Sequence, residues 1–234
     1  MLFSSVIPIY NEEKILESSI NDLHLSLTNG FPEQDWEIIL VENGSSDKTF
    51  EISEKLSKKY DNVRVFHIDT PDYGKALKTG FLESKGKFVI GDEIDLGNMD
   101  FYRLSVAILE NSDVDMVIGS KALTGAVDQR PIVRRFATKT INSILKFMFG
   151  IKGTDTHGLK AFKRDSMIDI IKECQTGREL FASEFVIRSE RDGKNILEIP
   201  IRLREKRPPA IKLFKRVPTV ISGLIELKKV LKDS

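Results

Sequence analysis

The chain has 234 residues, 41% hydrophobic and 30% charged, the balance of an ordinary globular protein and not of a disordered one. Its single cysteine, Cys174, excludes an intramolecular disulfide and a cysteine zinc cluster. A net charge of +1 conceals a polarity, because residues 1–120 carry 11 Lys/Arg against 22 Asp/Glu and residues 121–234 carry 25 against 13; the basic half either meets an anionic partner or neutralises the acidic half.

The opening MLFSSVIPIYNEE lacks the basic n-region and small-residue cleavage site of a signal peptide. Residues 3–9 form an apolar run that predicts a buried strand. Asn11 is placed to cap a helix carrying Ile15, Leu16, Ile20, Leu23 and Leu27 at helical spacing. Residues 37–42 predict a second strand, closed by Asn43-Gly44, after which Ser45 or Ser46 caps a helix running towards Tyr60. A strand over 63–68, a helix over 74–84, and strands over 87–94 and 115–120 follow. This alternation indicates βαβ units and a mostly parallel α/β sheet flanked by helices. Ligands of such sheets bind at the carboxyl ends of the strands, here Pro8 to Glu12, Glu42-Asn43-Gly44 and Glu93-Ile94-Asp95. Residues 131–150 predict a helix with Val133, Phe136, Ala137, Ile141, Ile144, Leu145 and Met148 on one side and Arg134, Arg135, Lys139 and Lys146 as its basic complement. A strand over 196–203, a basic, proline-interrupted loop over 206–216 and an amphipathic helix over 217–231 complete a single domain with a basic C-terminal subregion. No run of about 18 uncharged apolar residues predicts a membrane span, so a cytoplasmic location is expected.

Glu93 and Asp95, two residues apart at a strand end, can reach one hard divalent cation, Mg²⁺ or Mn²⁺, with substrate phosphates completing its shell. Acidic residues after a strand also serve simply as loop solvation. Asn43-Gly44-Ser45-Ser46-Asp47 suits either a base and ribose or a plain turn with a helix cap. Residues 74–80 lack the G-x-x-x-x-G-K-[ST] spacing, and no G-x-G-x-x-G follows the first strand, which disfavours a P-loop ATPase and a nicotinamide dehydrogenase. Of the three histidines, His24 and His67 fall in predicted elements and read as structural, whereas His157 lies in a polar loop.

Taken in order, these pieces resemble family 2 glycosyltransferases of the GT-A (Rossmann-like) fold. Val6-Ile7-Pro8-Ile9-Tyr10-Asn11-Glu12 matches the opening P-x-Y-N-E signature, and Val41-Glu42-Asn43-Gly44-Ser45-Ser46-Asp47-Lys48-Thr49 matches V-D-D/N-G-S-x-D-x-T. Gly74 to Gly80 matches G-x-A-x-x-x-G, and Glu93-Ile94-Asp95-Leu96 stands at the metal-binding D-x-D. Gly119-Ser120-Lys121 stands at G-S-R, and Asp155-Thr156-His157-Gly158-Leu159-Lys160-Ala161-Phe162 resembles D-T-Q-C-G-F-K-L-F, shortened by one residue. Within the family the chain looks most similar to dolichyl-phosphate mannose and glucose synthases.

The resemblance implies a nucleotide-sugar half (1–120) and an acceptor half (121–234). Pro8, Tyr10, Glu12, Val41, Asn43 and Ile94 would line the nucleotide site, and Glu93 and Asp95 would hold Mg²⁺ or Mn²⁺. Lys121, Arg134, Arg135, Lys206 and Lys212 would surround the sugar-diphosphate and acceptor-phosphate charges. The implied reaction is inverting transfer of a hexose from a GDP- or UDP-sugar to a polyprenyl or dolichyl phosphate, at the cytosolic face of a membrane and without nucleic acid. A glycan hydroxyl acceptor is the alternative and would need a carboxylate base such as Glu184 or Asp155; a nucleotidyltransferase and a nucleotide-binding module without catalysis are two further classes. The chain departs from the family pattern at Glu93 for Asp, Gly97 for Gln, Asp72 for the first Gly before the third helix, Ala182 for an acid and Lys206 for Arg.

Overall fold

A computed structural model describes residues 1–129, 132–178, 180–203 and 213–232, without the side chains of 128, 134, 203 and 213–221. Strands β1 (Phe3–Ile9) and β2 (Trp36–Asn43) are buried along their whole length. Alternate residues feed opposite faces: Ile38 and Leu40 enter one apolar cluster, and Ile39 and Val41 enter the other. That is why apolar residues occupy consecutive positions in both segments instead of alternating with polar ones, as in strands covered on both faces. Helices α1 (Leu16–Gly30), α2 (Thr49–Lys59) and α3 (Tyr73–Glu83) link β1, β2, β3 (Val63–Ile68) and β4 (Phe88–Gly91). Gly80 of α3 lies so close to Val6 that a Cβ would collide with it, which brings this helix tight against the sheet. Then follow α4 (Met99–Asn111), β5 (Met116–Ser120), β6 (Val127–Asp128), α5 (Ile132–Phe149), β7 (Leu159–Lys163), α6 (Arg164–Glu173), α7 (Phe181–Arg191), β8 (Ile196–Pro200), β9 (Arg202–Leu203) and α8 (Leu213–Val230).

The seven-stranded sheet has the order β3-β2-β1-β4-β7-β5-β8, and β6 pairs with β9 in a small second sheet. The order reverses direction between β1 and β4, so the carboxyl ends of β1, β2 and β4 flank a switch-point crevice. Strand β7 is antiparallel to both its neighbours, with Lys160 in register with Gly91 of β4 and Ile118 of β5. The loop entering β7 therefore arrives at the same edge.

Several expectations are corrected. Asn11 does not cap α1, which starts at Leu16; it adopts φ 55° and its Oδ1 accepts from the Ser46 amide at 2.9 Å. Neither Ser45 nor Ser46 caps α2, because Asp47 Oδ1 takes the Thr49 amide at 2.9 Å and the helix starts there. The fourth strand stops at Gly91, since the Asp92 carboxylate accepts from the Glu93 amide at 2.7 Å and turns the chain. The segment 196–203 is two strands broken at Ile201, where the chain passes to the small sheet. The last helix begins at Leu213, inside the segment expected as loop.

Helix α5 is half-committed to the core. Leu145 is fully buried beside partly buried Ile141, whereas Val133, Phe136, Ile144 and Met148, read from the sequence as the same apolar side, are exposed. In α8, Leu224 and Leu227 pack with Leu145, Leu180 and Ile187.

Candidate functional site

The first two strand ends are stitched to each other by polar groups. The Asn11 amide donates to Ser45 Oγ at 2.9 Å and the Glu12 amide to Thr49 Oγ1 at 2.7 Å. Asn43, 4% exposed, donates through Nδ2 to the Ile9 carbonyl at 3.0 Å and accepts the Asp72 amide on Oδ1 at 3.2 Å. It therefore ties β1, β2 and the start of α3 together from one buried position. Gly44 follows at φ +74°, where a Cβ would stand 2.8 Å from the Asp69 carbonyl oxygen. Glu42 accepts from the Ser45 amide at 2.6 Å and meets His67 Nδ1 at 2.6 Å.

Asp72, the departure from glycine, has a clear role. It caps α3 by accepting from the Lys75 amide at 2.8 Å, and the same oxygen accepts from the Arg178 amide at 2.6 Å. It thus docks the loop before α7 onto the helix that borders the crevice.

The third edge is the turn after β4. Glu93 is exposed, Ile94 buried and Asp95 half-buried, and the Leu96 amide closes the turn on the Glu93 carbonyl at 3.0 Å. Beneath them Asp92 is 1% exposed. Burial pushes its carboxyl up to about 7, despite the lowering bonds from the Glu93 amide and the Tyr102 hydroxyl. Among the described residues, no group of three or more His, Cys, Asp or Glu is placed to hold an ion. Two carboxylates alone could hold a hard cation only with other oxygen ligands completing its shell, as substrate phosphates do for Mg²⁺.

The fourth edge is the loop before β7, a buried ionic cluster. Asp155 is 1% exposed and Lys121 Nζ lies 3.7 Å from its Oδ2. Burial works to raise the Asp155 pKa, but the Lys121 charge and the His157 and Lys121 amides outweigh it and hold the carboxyl below its ordinary value. Lys160, which periodicity alone does not single out, is 5% exposed and donates to the Thr156 and Gly158 carbonyls at 2.8 and 2.9 Å. Burial pushes its amine down to about 8, and it feels the charges of Asp155, Lys121 and Glu93. Glu198 of β8 accepts from the Thr154 and Asp155 amides at 2.7 and 3.0 Å, and Asn142 of α5 donates to the Thr154 carbonyl at 2.7 Å.

The other sequence candidates divide. Tyr10 is 43% exposed at the end of β1. Glu12 is 6% exposed and Val41 fully buried, with Pro8 in register beside Val41, so none of the three is open at the surface as Tyr10 is. Arg135 is exposed on the first turns of α5. Arg134 lies on the same helix with its side chain outside the described residues, as are Lys206 and Lys212 entirely. Glu184, considered as a base, is fully buried; it accepts from the Gln175 and Thr176 amides and from Arg188 Nε at 2.7 Å.

The sheet order and the switch-point crevice are those of a GT-A transferase. Residues 4–170 match the family model described as Glycosyl transferase family 2, and the chain belongs to that family of glycosyltransferases. It is 30% identical over 227 residues to a Dolichyl-phosphate beta-glucosyltransferase of Saccharomyces cerevisiae, covering 88% of this chain and 67% of that one. It is 28% identical over 202 residues to a Dolichyl-phosphate hexose transferase of Haloferax volcanii, covering 86% and 82% respectively. Against Glycosyltransferase AglD of the same organism, identity is 24% over 217 residues, and the match spans 92% of this chain but 35% of that protein. Among solved structures, glucosyl-3-phosphoglycerate synthase from Mycobacterium tuberculosis, in complex with Mn²⁺, UDP and phosphoglyceric acid, superposes with a TM-score of 0.67 at 20% identity, covering 97% of this chain and 78% of that one.

Proposed function

We propose that the chain transfers a hexose from a nucleoside-diphosphate sugar to a polyprenyl or dolichyl phosphate, with inversion, at a membrane surface. The observation that carries the choice of acceptor is the state of Glu184 and Asp155, the carboxylates named above as bases for a hydroxyl acceptor. Glu184 is spent on two amides and Arg188, and Asp155 on Lys121 and two amides. A phosphate acceptor is already anionic at neutral pH and needs no such base. The names of the yeast and Haloferax relatives agree with this acceptor class.

In this reading the nucleoside lies between the ends of β1 and β2, against Tyr10 and the Asn43-Gly44 turn. Glu93 and Asp95 would hold Mg²⁺ or Mn²⁺ beside the diphosphate. Such an ion, when bound, neutralises charge developing on the leaving diphosphate. An acceptor phosphate oxygen attacks the anomeric carbon from the face opposite the diphosphate, the new C–O bond forms as the old one breaks, and the nucleoside diphosphate departs. Lys121, Arg134, Arg135, Lys206 and Lys212 are the proposed surroundings of the two anionic groups; Lys121 does this while paired with Asp155, which fixes its amine at the end of β5.

Helix α5 is the proposed contact with the membrane. No described helix is long and apolar enough to cross one. Around α5 the buried arc of Ile141, Asn142 and Leu145 is followed by exposed Arg135, Lys139 and Lys146, and then by exposed Ile132, Phe136, Phe147 and Val133. An exposed apolar stripe bordered by basic residues suits the interface between headgroups and acyl chains. The test of the whole reading is a panel of nucleotide sugars offered with a polyprenyl phosphate or a free glycan, scored by product mass. Glycosylated glycan with unmodified lipid would replace the acceptor; bound nucleotide with no product in any pairing would replace catalysis by binding.

A further inference from the structure

The proposed metal carboxylates stand on a loop whose two ends are tied to each other inside the protein. The loop leaves β4 at Asp92, whose amide still bonds to the Val6 carbonyl of β1 at 2.9 Å, and returns to the core at Tyr102 on α4. Tyr102 donates its hydroxyl proton to Asp92 Oδ2 at 2.9 Å, and Ser5 of β1 meets the Tyr102 oxygen at 2.5 Å. The other Asp92 oxygen accepts from the Glu93 amide at 2.7 Å. Within the loop, the Leu96 amide holds the Glu93 carbonyl at 3.0 Å, and Asn98 Oδ1 caps α4 through the Phe101 amide at 3.1 Å. Ser5 and Tyr102 are fully buried and Asp92 is 1% exposed.

We propose that Ser5, Tyr102 and Asp92 form a positioning network that sets the spacing and direction of Glu93 and Asp95, with Asp92 itself outside the ligand set. A carboxyl at this depth costs stability that an apolar side chain would not, and such local costs are typically offset by function. Here the offset is the grip on the Glu93 backbone. Its amide is fixed by Asp92 and its carbonyl by Leu96, so the peptide carrying the first carboxylate has little freedom to rotate. The tie from Tyr102 closes the base of the loop that carries the second. Outer groups that orient metal ligands act through geometry, and losing one typically costs about 10–100-fold in metal affinity. The proposal rests on the reading of Glu93 and Asp95 as the metal pair.

The test is Mn²⁺ binding followed by electron paramagnetic resonance, with uridine diphosphate and separately guanosine diphosphate present, alongside thermal unfolding. Tyr102→Phe removes the tie, and Asp92→Leu removes the acceptor for the Glu93 amide. Each is expected to weaken Mn²⁺ binding by about tenfold or more. Asp92→Asn keeps an acceptor for the Glu93 amide and a polar partner for Tyr102, and is expected to stay close to the unsubstituted protein. If the unsubstituted protein takes no Mn²⁺ with either nucleotide, the metal reading falls and this proposal with it. If it binds Mn²⁺ and Tyr102→Phe and Asp92→Leu bind equally well, the metal reading stands and the positioning role is overturned. Equal weakening by Asn and Leu also overturns it, since the acceptor geometry would then be irrelevant. If Phe and Leu both fail to fold, the network serves the fold and not the loop.

Discussion

Lys121 Nζ sits 3.7 Å from Asp155 Oδ2, and the Lys121 amide donates to the same oxygen at 3.2 Å, so one carboxylate grips both ends of one lysine. With the lysine side chain 10% exposed and the carboxylate 0%, this pair clamps the end of β5 to the loop entering β7. Removing one member of a buried pair strands the other, at a typical cost of about 3–5 kcal/mol. Lys121→Met is expected to lose stability on that scale in urea unfolding at neutral pH. Asp155 has a folded pKa below its unfolded value. Its contribution is therefore complete above about pH 4 and disappears as pH falls through the folded value. Unfolding midpoints measured from neutral pH down into that acid range should fall more steeply for the unsubstituted protein than for Asp155→Asn.

Asn43 spans three elements with one amide, so its removal is expected to act on both stability and binding. Asn43→Ala leaves the Ile9 carbonyl and the Asp72 amide without that partner, which costs about 1–3 kcal/mol. Because these groups border the proposed nucleoside crevice, calorimetry with uridine or guanosine diphosphate should also show weaker binding. Unchanged affinity would move the crevice away from the β1 and β2 ends.

Most of the first half of the fold was legible because its strands and helices follow simple patterns, although α4 was not read from the sequence. β1 and β2 are mostly apolar and closed by turn residues, β3 carries Val63, Val65, Phe66 and Ile68, and α1 repeats Leu16, Ile20, Leu23 and Leu27 on one face. The second half hides its elements. α7 is buried nearly all round, including Glu184, Arg188 and Ser189, so the polar residues in its sequence do not mark a solvent-facing side as they do on a surface helix. β7 contains Lys160, which looks like a surface residue until Thr156 and Gly158 supply its carbonyl partners. The candidate site residues stand out in the sequence as motifs, but their contacts do not. Nothing in the spacing shows that Asn11 crosses to the β2 loop, or that Asp72 receives an amide from Arg178, 106 residues away.

Asp95→Ala is expected to abolish transfer while leaving the unfolding temperature nearly unchanged, since Asp95 is only half-buried on a turn. Glu93→Asp should keep substantial activity, because it preserves the carboxylate and shortens the reach by one methylene. The companion measurement is turnover against added chelator, with Mg²⁺ or Mn²⁺ restored afterwards. Loss on chelation and recovery with either ion is the expected pattern; full turnover in excess chelator would remove both carboxylates from a metal role.

Phe136 and Phe147 lie three helical turns apart on one face of α5, 71% and 92% exposed. Exposed Arg135, Lys139 and Lys146 border them. Two large aromatic side chains on one open face are a cost in water that burial in an interface would remove. Each basic residue near an anionic surface adds about 1 kcal/mol, attenuated by salt. The protein is therefore expected to sediment with anionic liposomes at low salt and to be partly released at high salt. Phe147→Ser should weaken this sedimentation at both salt concentrations without changing the fold, because this side chain is outside the core. Lys139→Glu with Lys146→Glu should instead remove the preference for anionic over neutral liposomes. Equal recovery of the unsubstituted protein and the Phe147→Ser variant in the supernatant at low salt would show that α5 does not meet the membrane, and a soluble acceptor would then become the better reading.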